Sequence, residues 1–121
     1  MLIESYRVNP KHRATKPSKS ASIWTVPVWR EIELFALSQK NSVCEKTQTS
    51  WGCDLKNAIG ADLQNKLFFA KFVVDQKVWH GYPVHPRDND IPPDHVLDNW
   101  LSLGALTKPQ RSKISEGKFI K

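Results

Sequence analysis

Two runs rich in aromatic and β-branched side chains, LFFAKFVV at 67–74 and VWHGYPV at 78–84, flank the polar triplet DQK. Such runs across so short a break predict a β-hairpin, with Pro83, which lacks a backbone N–H, suited to an edge position. Upstream, in IWTVPVWREIELFALSQKN, Val28, Ile32, Phe35 and Ala36 recur on one helical face. A strand there would put Trp29, Glu31, Glu33 and Phe35 together and mix charge with aromatics. The pattern therefore predicts a helix over 27–38 entered through Pro27, after a short extended IWTV. SVCEKTQTSWG, 42–52, is expected to be a polar loop. Asp54 is placed to cap LKNAI, which gives a short helix over 54–65 weakened at Gly60.

The last third carries the strongest helical signals. Val96, Leu97, Trp100 and Leu101 recur at helical spacing after Pro92 and Pro93, which predicts a helix over 93–103 stopped by Gly104. Thr107 and Gln110 then have the spacing of a capping box, opening a helix over 108–116 that ends at Gly117. The expected fold is a small single α+β domain, a β-hairpin packed by helices and closed by a C-terminal helical hairpin. By contrast, RVNPKHRATKPSKSAS, 7–22, has few apolar residues to offset the entropy of ordering. Residues 1–22 are accordingly expected to form a flexible basic arm, leaving 23–121 as the globular domain.

A length of 121 residues suits one hydrophobic core, and no apolar run reaches the roughly 20 residues of a membrane span. The N-terminus lacks the pattern of a secretory signal, so a cytoplasmic location without membrane association is expected. Cys44 and Cys53 are then expected to be free thiols. Zinc is not expected, because the nearest His lies 27 positions beyond Cys53.

The net charge of +6 is concentrated at the two ends. In residues 1–22, Arg7, Lys11, Arg13, Lys16 and Lys19 face only Glu4, a net +4; in 104–121, Lys108, Arg111, Lys113, Lys118 and Lys121 face only Glu116, again +4. The middle is close to neutral. Basic ends suit a polyanion, since each cation that neutralises a phosphate releases a counterion, so nucleic acid is the expected partner, with an acidic protein surface as the alternative.

Two short helices around a Gly-containing turn make a helix-turn-helix by connectivity. LGALTKPQRSKISEGK, with its turn Gly, polar N-cap, Ser-Lys-Ile and final Gly-Lys, resembles the turn and recognition helix of phage-repressor and Cro-type DNA-binding domains over 95–118. That resemblance implies DNA rather than RNA; the outward face of the helical pair carries Lys108, Arg111, Ser112 and Lys113, donors suited to phosphates and base edges, with Lys118 a further expected contact. Arg13 and Lys16 of the arm would add an electrostatic tether.

VWHGYPVHPRDNDIPP, 78–93, also holds His80 and His85 with Asp88 and Asp90, the residue types of a metal-dependent nuclease. Their spacing matches no metal motif, and the prolines fit a stiff connector into the next helix. No catalytic residue, metal or cofactor is therefore assigned, and His80, Tyr82 and His85 are expected to line a surface groove. A non-catalytic protein-interaction module, using exposed Trp and Tyr, is the alternative to nucleic-acid binding.

Overall fold

The computed structural model describes residues 5–119. Its centre is the expected hairpin, β7 (Phe69–Asp75) and β8 (Val78–Val84), extended on one side by β4 (Thr49–Cys53) and β3 (Val43–Cys44). On the other side β1 (Ser5–Tyr6) runs parallel to β8, giving the order β1-β8-β7-β4-β3. A small second sheet has the order β2-β5-β6, from β2 (Ile23–Trp24), β5 (Gly60–Ala61) and β6 (Lys66–Leu67).

Alternation along the strands divides the core into two layers. Ala70, Phe72 and Trp79 face α1 (Val28–Asn41), packing with Leu34, Trp24 and Ile59. Trp51, Phe69 and Val84 face the opposite way, onto Val96, Leu97 and Trp100 of α2 (Asp94–Ser102) and Ile114 of α3 (Lys108–Ser115). The large sheet is thus a filled layer between one helix and a helical pair, an α+β domain.

The helices begin where the caps place them. α1 enters through Pro27 and runs three residues past the expected end, and α3 has a complete capping box. Thr107 Oγ1 accepts from the Gln110 N–H at 3.3 Å, and Gln110 Oε1 accepts from the Thr107 N–H at 2.8 Å. Pro83 lies beyond the end of β1, at an edge, where its carbonyl accepts from Ser22 Oγ at 2.6 Å.

Two expectations are corrected. Residues 42–52 are not a loop: β3 and β4 form a second hairpin, with Ser50 and Trp51 buried. The polar residues of β4 tolerate burial because each has a partner. Ser50 meets Ser38 Oγ at 2.8 Å and Gln39 Nε2 at 2.9 Å, and Thr49 accepts from the Trp51 indole at 3.0 Å. Nor do residues 54–65 form a helix. Asp54 accepts from the Lys56 and Asn57 N–H groups at 2.9 and 3.0 Å, and Asp62 likewise from Gln64 and Asn65 at 2.8 and 2.6 Å. Each closes a local turn that competes with helix, and β5 forms between them.

The β7–β8 turn has no glycine, yet Gln76 and Lys77 both take positive φ, 50° and 66°. A two-residue hairpin turn needs that conformation, which side chains with a Cβ adopt at a cost. Replacing Gln76-Lys77 by Asn-Gly is expected to stabilise the domain by about 1 kcal/mol. The check is a higher urea midpoint with an unchanged slope.

Candidate functional site

The site begins with an anchor in the stretch expected to be a flexible arm. Pro10–Arg13 form a 3-10 turn that buries His12, and Arg13 reaches Glu31 of α1 through Nε at 3.0 Å and Nη2 at 2.7 Å. The same guanidinium donates to the Val26 carbonyl at 2.5 Å. His12 donates from Nδ1 to the Ser22 carbonyl at 2.8 Å; because a carbonyl only accepts, Nδ1 carries the proton. Its ring stacks on Tyr82, with centroids 5.1 Å apart. Residues 9–22 are therefore tied to β8 at both His12 and Ser22.

A cleft of about 450 Å³ lies between this tied segment and the edge of β8. Lys11, His12, Lys19, Tyr82, His85 and Arg87 line it, together with Asp62 and Asp90. A neighbouring cavity of about 230 Å³, with Gln64, Lys66, Phe68 and Phe119 in its wall, shares Leu67, Val84 and His85 with the first. The two adjoin, with His85 in the wall of both. Of its acids, Asp90 is held by Lys71 at 3.3 Å. Among the described residues Lys11, Lys19, Lys66 and Arg87 have no carboxylate within ion-pair distance, whereas Arg13, Arg30, Lys71 and Arg111 each do.

Burial holds the His12 imidazole below its ordinary range, against the opposing pull of the Ser22 carbonyl. Burial, reinforced by the charge of Arg87, does the same to His85. Burial and the Asp90 charge push the Tyr82 phenol up, so it remains a neutral donor. Both imidazoles protonate less readily folded than unfolded, where the value is about 6.5. Their contribution to stability is full above that pH and is lost as pH falls through the folded values. The thermal midpoint is accordingly expected to drop between about pH 7.5 and 5. His12→Gln should flatten that drop, which a melting series of both proteins will show.

The residues expected from the sequence are distributed between places. Tyr82 and His85 line the groove; His80, opposite in facing to the buried Trp79, lies outside both cavities, and its buried Nδ1 has no hydrogen-bond partner among the described residues. Lys108, Ser112, Lys113 and Lys118 are exposed at the C-terminal helical pair, and Lys16 is exposed in the N-terminal segment. Arg111 instead lies across α2, with Nε 2.7 Å from Asp98 and Nη2 3.5 Å from Asp94. Arg13 is likewise engaged by Glu31.

Lys11, His12, Lys19, Lys66 and Arg87 were not assigned from the sequence to any common site. They converge through contacts such as Ser22 with Pro83, 61 positions apart, which no local pattern encodes. The one local signal was KHR at 11–13, two cations flanking a histidine.

Cys44 and Cys53 are free thiols. Cys44 pairs with Thr49, and Cys53 is four residues further along β4, about 13 Å away, beyond the roughly 7 Å Cα separation that a disulfide spans. Burial, with Asp54 adjacent, pushes the Cys53 thiol up to about 12. No cluster of three His, Cys, Asp or Glu residues suited to a metal occurs among the described residues, and no helix there is long and apolar enough to cross a membrane. Comparison with known family models, curated proteins and solved structures gives no match.

Proposed function

We propose that this chain is a small basic nucleic-acid-binding protein whose contact surface is the groove along the β8 edge. One observation carries the reading: four cations without carboxylate partners among the described residues, Lys11, Lys19 and Arg87 in the larger cleft and Lys66 in the adjoining cavity, stand beside aromatic and imidazole rings. Cations supply the salt-dependent attraction to phosphate, and rings supply surfaces on which bases stack.

The helix-turn-helix resemblance supports a duplex-DNA version of the same reading, in which Lys108, Ser112 and Lys113 of α3 approach the DNA. The ion pairs of Arg111 with Asp94 and Asp98 weigh against its serving as a base-reading side chain.

The test is fluorescence anisotropy with labelled oligonucleotides over a series of salt concentrations. Four phosphate contacts on a single strand predict a slope of log affinity against log salt of about −3. Lys19→Ala and Arg87→Ala should each make it shallower by about 0.7. Salt-independent binding, or no binding at low salt, would remove the reading.

A second reading has its own observation. Val28, Trp29, Ile32 and Leu37 are exposed on α1, Trp29 at 66%. Exposed Trp is a frequent interface anchor, so this helix is suited to a protein partner. The first partner to test is a second copy, by sedimentation equilibrium. Concentration-dependent dimerisation abolished by Trp29→Ser would favour this reading, and a monomer at all concentrations would exclude the self-pairing form.

A further inference from the structure

We propose that the groove admits a single-stranded segment of nucleic acid in preference to a duplex, with a base against His85 and the adjoining phosphates on Lys11, Lys19 and Arg87. This rests on the nucleic-acid reading above and specifies its ligand.

The first argument is shape. The larger cleft, about 450 Å³, falls within the size range of ligand pockets, and the smaller cavity, about 230 Å³, adjoins it with His85 in the wall of both. A duplex keeps its bases stacked inside a convex cylinder of phosphates, so no base can enter such a recess without leaving the stack. A single strand can turn a base into it, which is how unpaired nucleotides are usually recognised.

The second argument is the lining. The larger cleft carries cations, as a backbone track requires, while the smaller cavity is walled by Phe68, Phe119 and Pro86 beside Gln64 and Asn65. Side-chain amides beside aromatic surface are what an unstacked base needs, donors and acceptors at its edge and a ring near its face. His85 belongs to both cavities and makes no side-chain hydrogen bond among the described residues, so its ring is available to a ligand. Tyr82 is already stacked on His12 and acts as the cleft wall.

The third argument is charge placement. Asp62 and Asp90 also line the larger cleft and repel phosphate, while Lys71 neutralises part of that effect at Asp90. The backbone is therefore directed toward Lys11, Lys19 and Arg87. On α3, the surface that a duplex reader would use, Arg111 is bound to two aspartates and Glu116 adds an opposing charge.

The experiment measures binding of the full-length protein to a short mixed-sequence single-stranded RNA, its single-stranded DNA equivalent and the matching DNA duplex, at one fixed salt concentration. At least one single strand should bind about tenfold or more tightly than the duplex. The RNA-to-DNA ratio reports whether the 2′-hydroxyl contributes. His85→Ala should weaken single-strand binding about fivefold to a hundredfold, the range for losing one stacked base. Arg87→Ala, at an exposed position whose side chain supports no part of the core, should weaken it as well. Lys46→Ala, in the β3–β4 turn at the opposite edge of the sheet, is the charge-matched control and should leave affinity unchanged. Duplex binding as tight as single-strand binding, or affinity indifferent to both His85→Ala and Arg87→Ala, would overturn the inference while leaving nucleic-acid binding in place. Failure to bind any of the three would overturn both.

Discussion

Arg13→Ala is expected to destabilise the fold by about 3–5 kcal/mol, the largest effect of a single side-chain truncation foreseen in this protein. Glu31 is fully buried on α1, and its carboxylate is satisfied by two Arg13 N–H groups and by the Tyr6 hydroxyl. Removing Arg13 leaves a buried carboxylate with only a phenol for a partner, a phenol held in its neutral form by burial and by Glu31 itself. It also removes the donor to the Val26 carbonyl and the cation over the Trp24 ring. Most of the cost comes from the uncompensated acid rather than the lost attraction, so Arg13→Met combined with Glu31→Gln should recover much of the stability. Urea midpoints of the single and double variants provide the check. A single-variant cost below about 1 kcal/mol would mean that water or a proton satisfies Glu31 instead. Because Arg13 adjoins His12 and Lys11, the same substitution should loosen the segment that forms one wall of the cleft, and oligonucleotide affinity should fall with stability.

The elements read correctly from the sequence are those whose signals are local. The β7–β8 hairpin was legible in two β-rich runs across a short break and α3 in the Thr107–Gln110 spacing; α1 was legible as a helix entered through Pro27, but not in its facing, because it buries Glu31, Leu34 and Ser38 and leaves Val28 and Ile32 exposed. β4 was not legible, because Thr49 and Ser50 read as loop residues until Ser38 and Trp51 are brought beside them. Asp54 did act as a cap, but for a turn, since the chain must reach Gly60, where a side chain would sit 2.4 Å from the Pro83 ring. The candidate site was half legible. Tyr82 and His85 followed from strand alternation and the connector, whereas His12 and its neighbours looked unanchored because the partner of Arg13 lies 18 residues away. Composition identified the arm as basic and poor in apolar side chains; it could not show that one buried carboxylate would fix it in place.

Gly81→Ala is expected to cost about 3 kcal/mol, toward the upper end for overpacking a core. A Cβ at Gly81 would lie 2.2 and 2.4 Å from two ring carbons of Phe72 and 2.9 Å from the Tyr6 hydroxyl oxygen. Phe72 is fully buried, with the rings of Phe35, Tyr6 and Trp24 at centroid distances of 5.4, 5.9 and 6.2 Å, so it has little freedom to retreat. Displacing Tyr6 would in turn disturb its hydrogen bond to Glu31, which couples this position to the Arg13 anchor. Gly104→Ala is the contrasting case. Its φ of +78° imposes a conformational penalty of about 1 kcal/mol, but nothing lies within 4 Å to clash. Urea unfolding should therefore rank Gly81→Ala well below Gly104→Ala, and Phe72→Leu should partly rescue the former by making room for the methyl group. Equal losses at the two glycines would mean that the aromatic cluster yields to the added methyl, and that the large sheet and α1 are less tightly packed at Gly81 than these distances require.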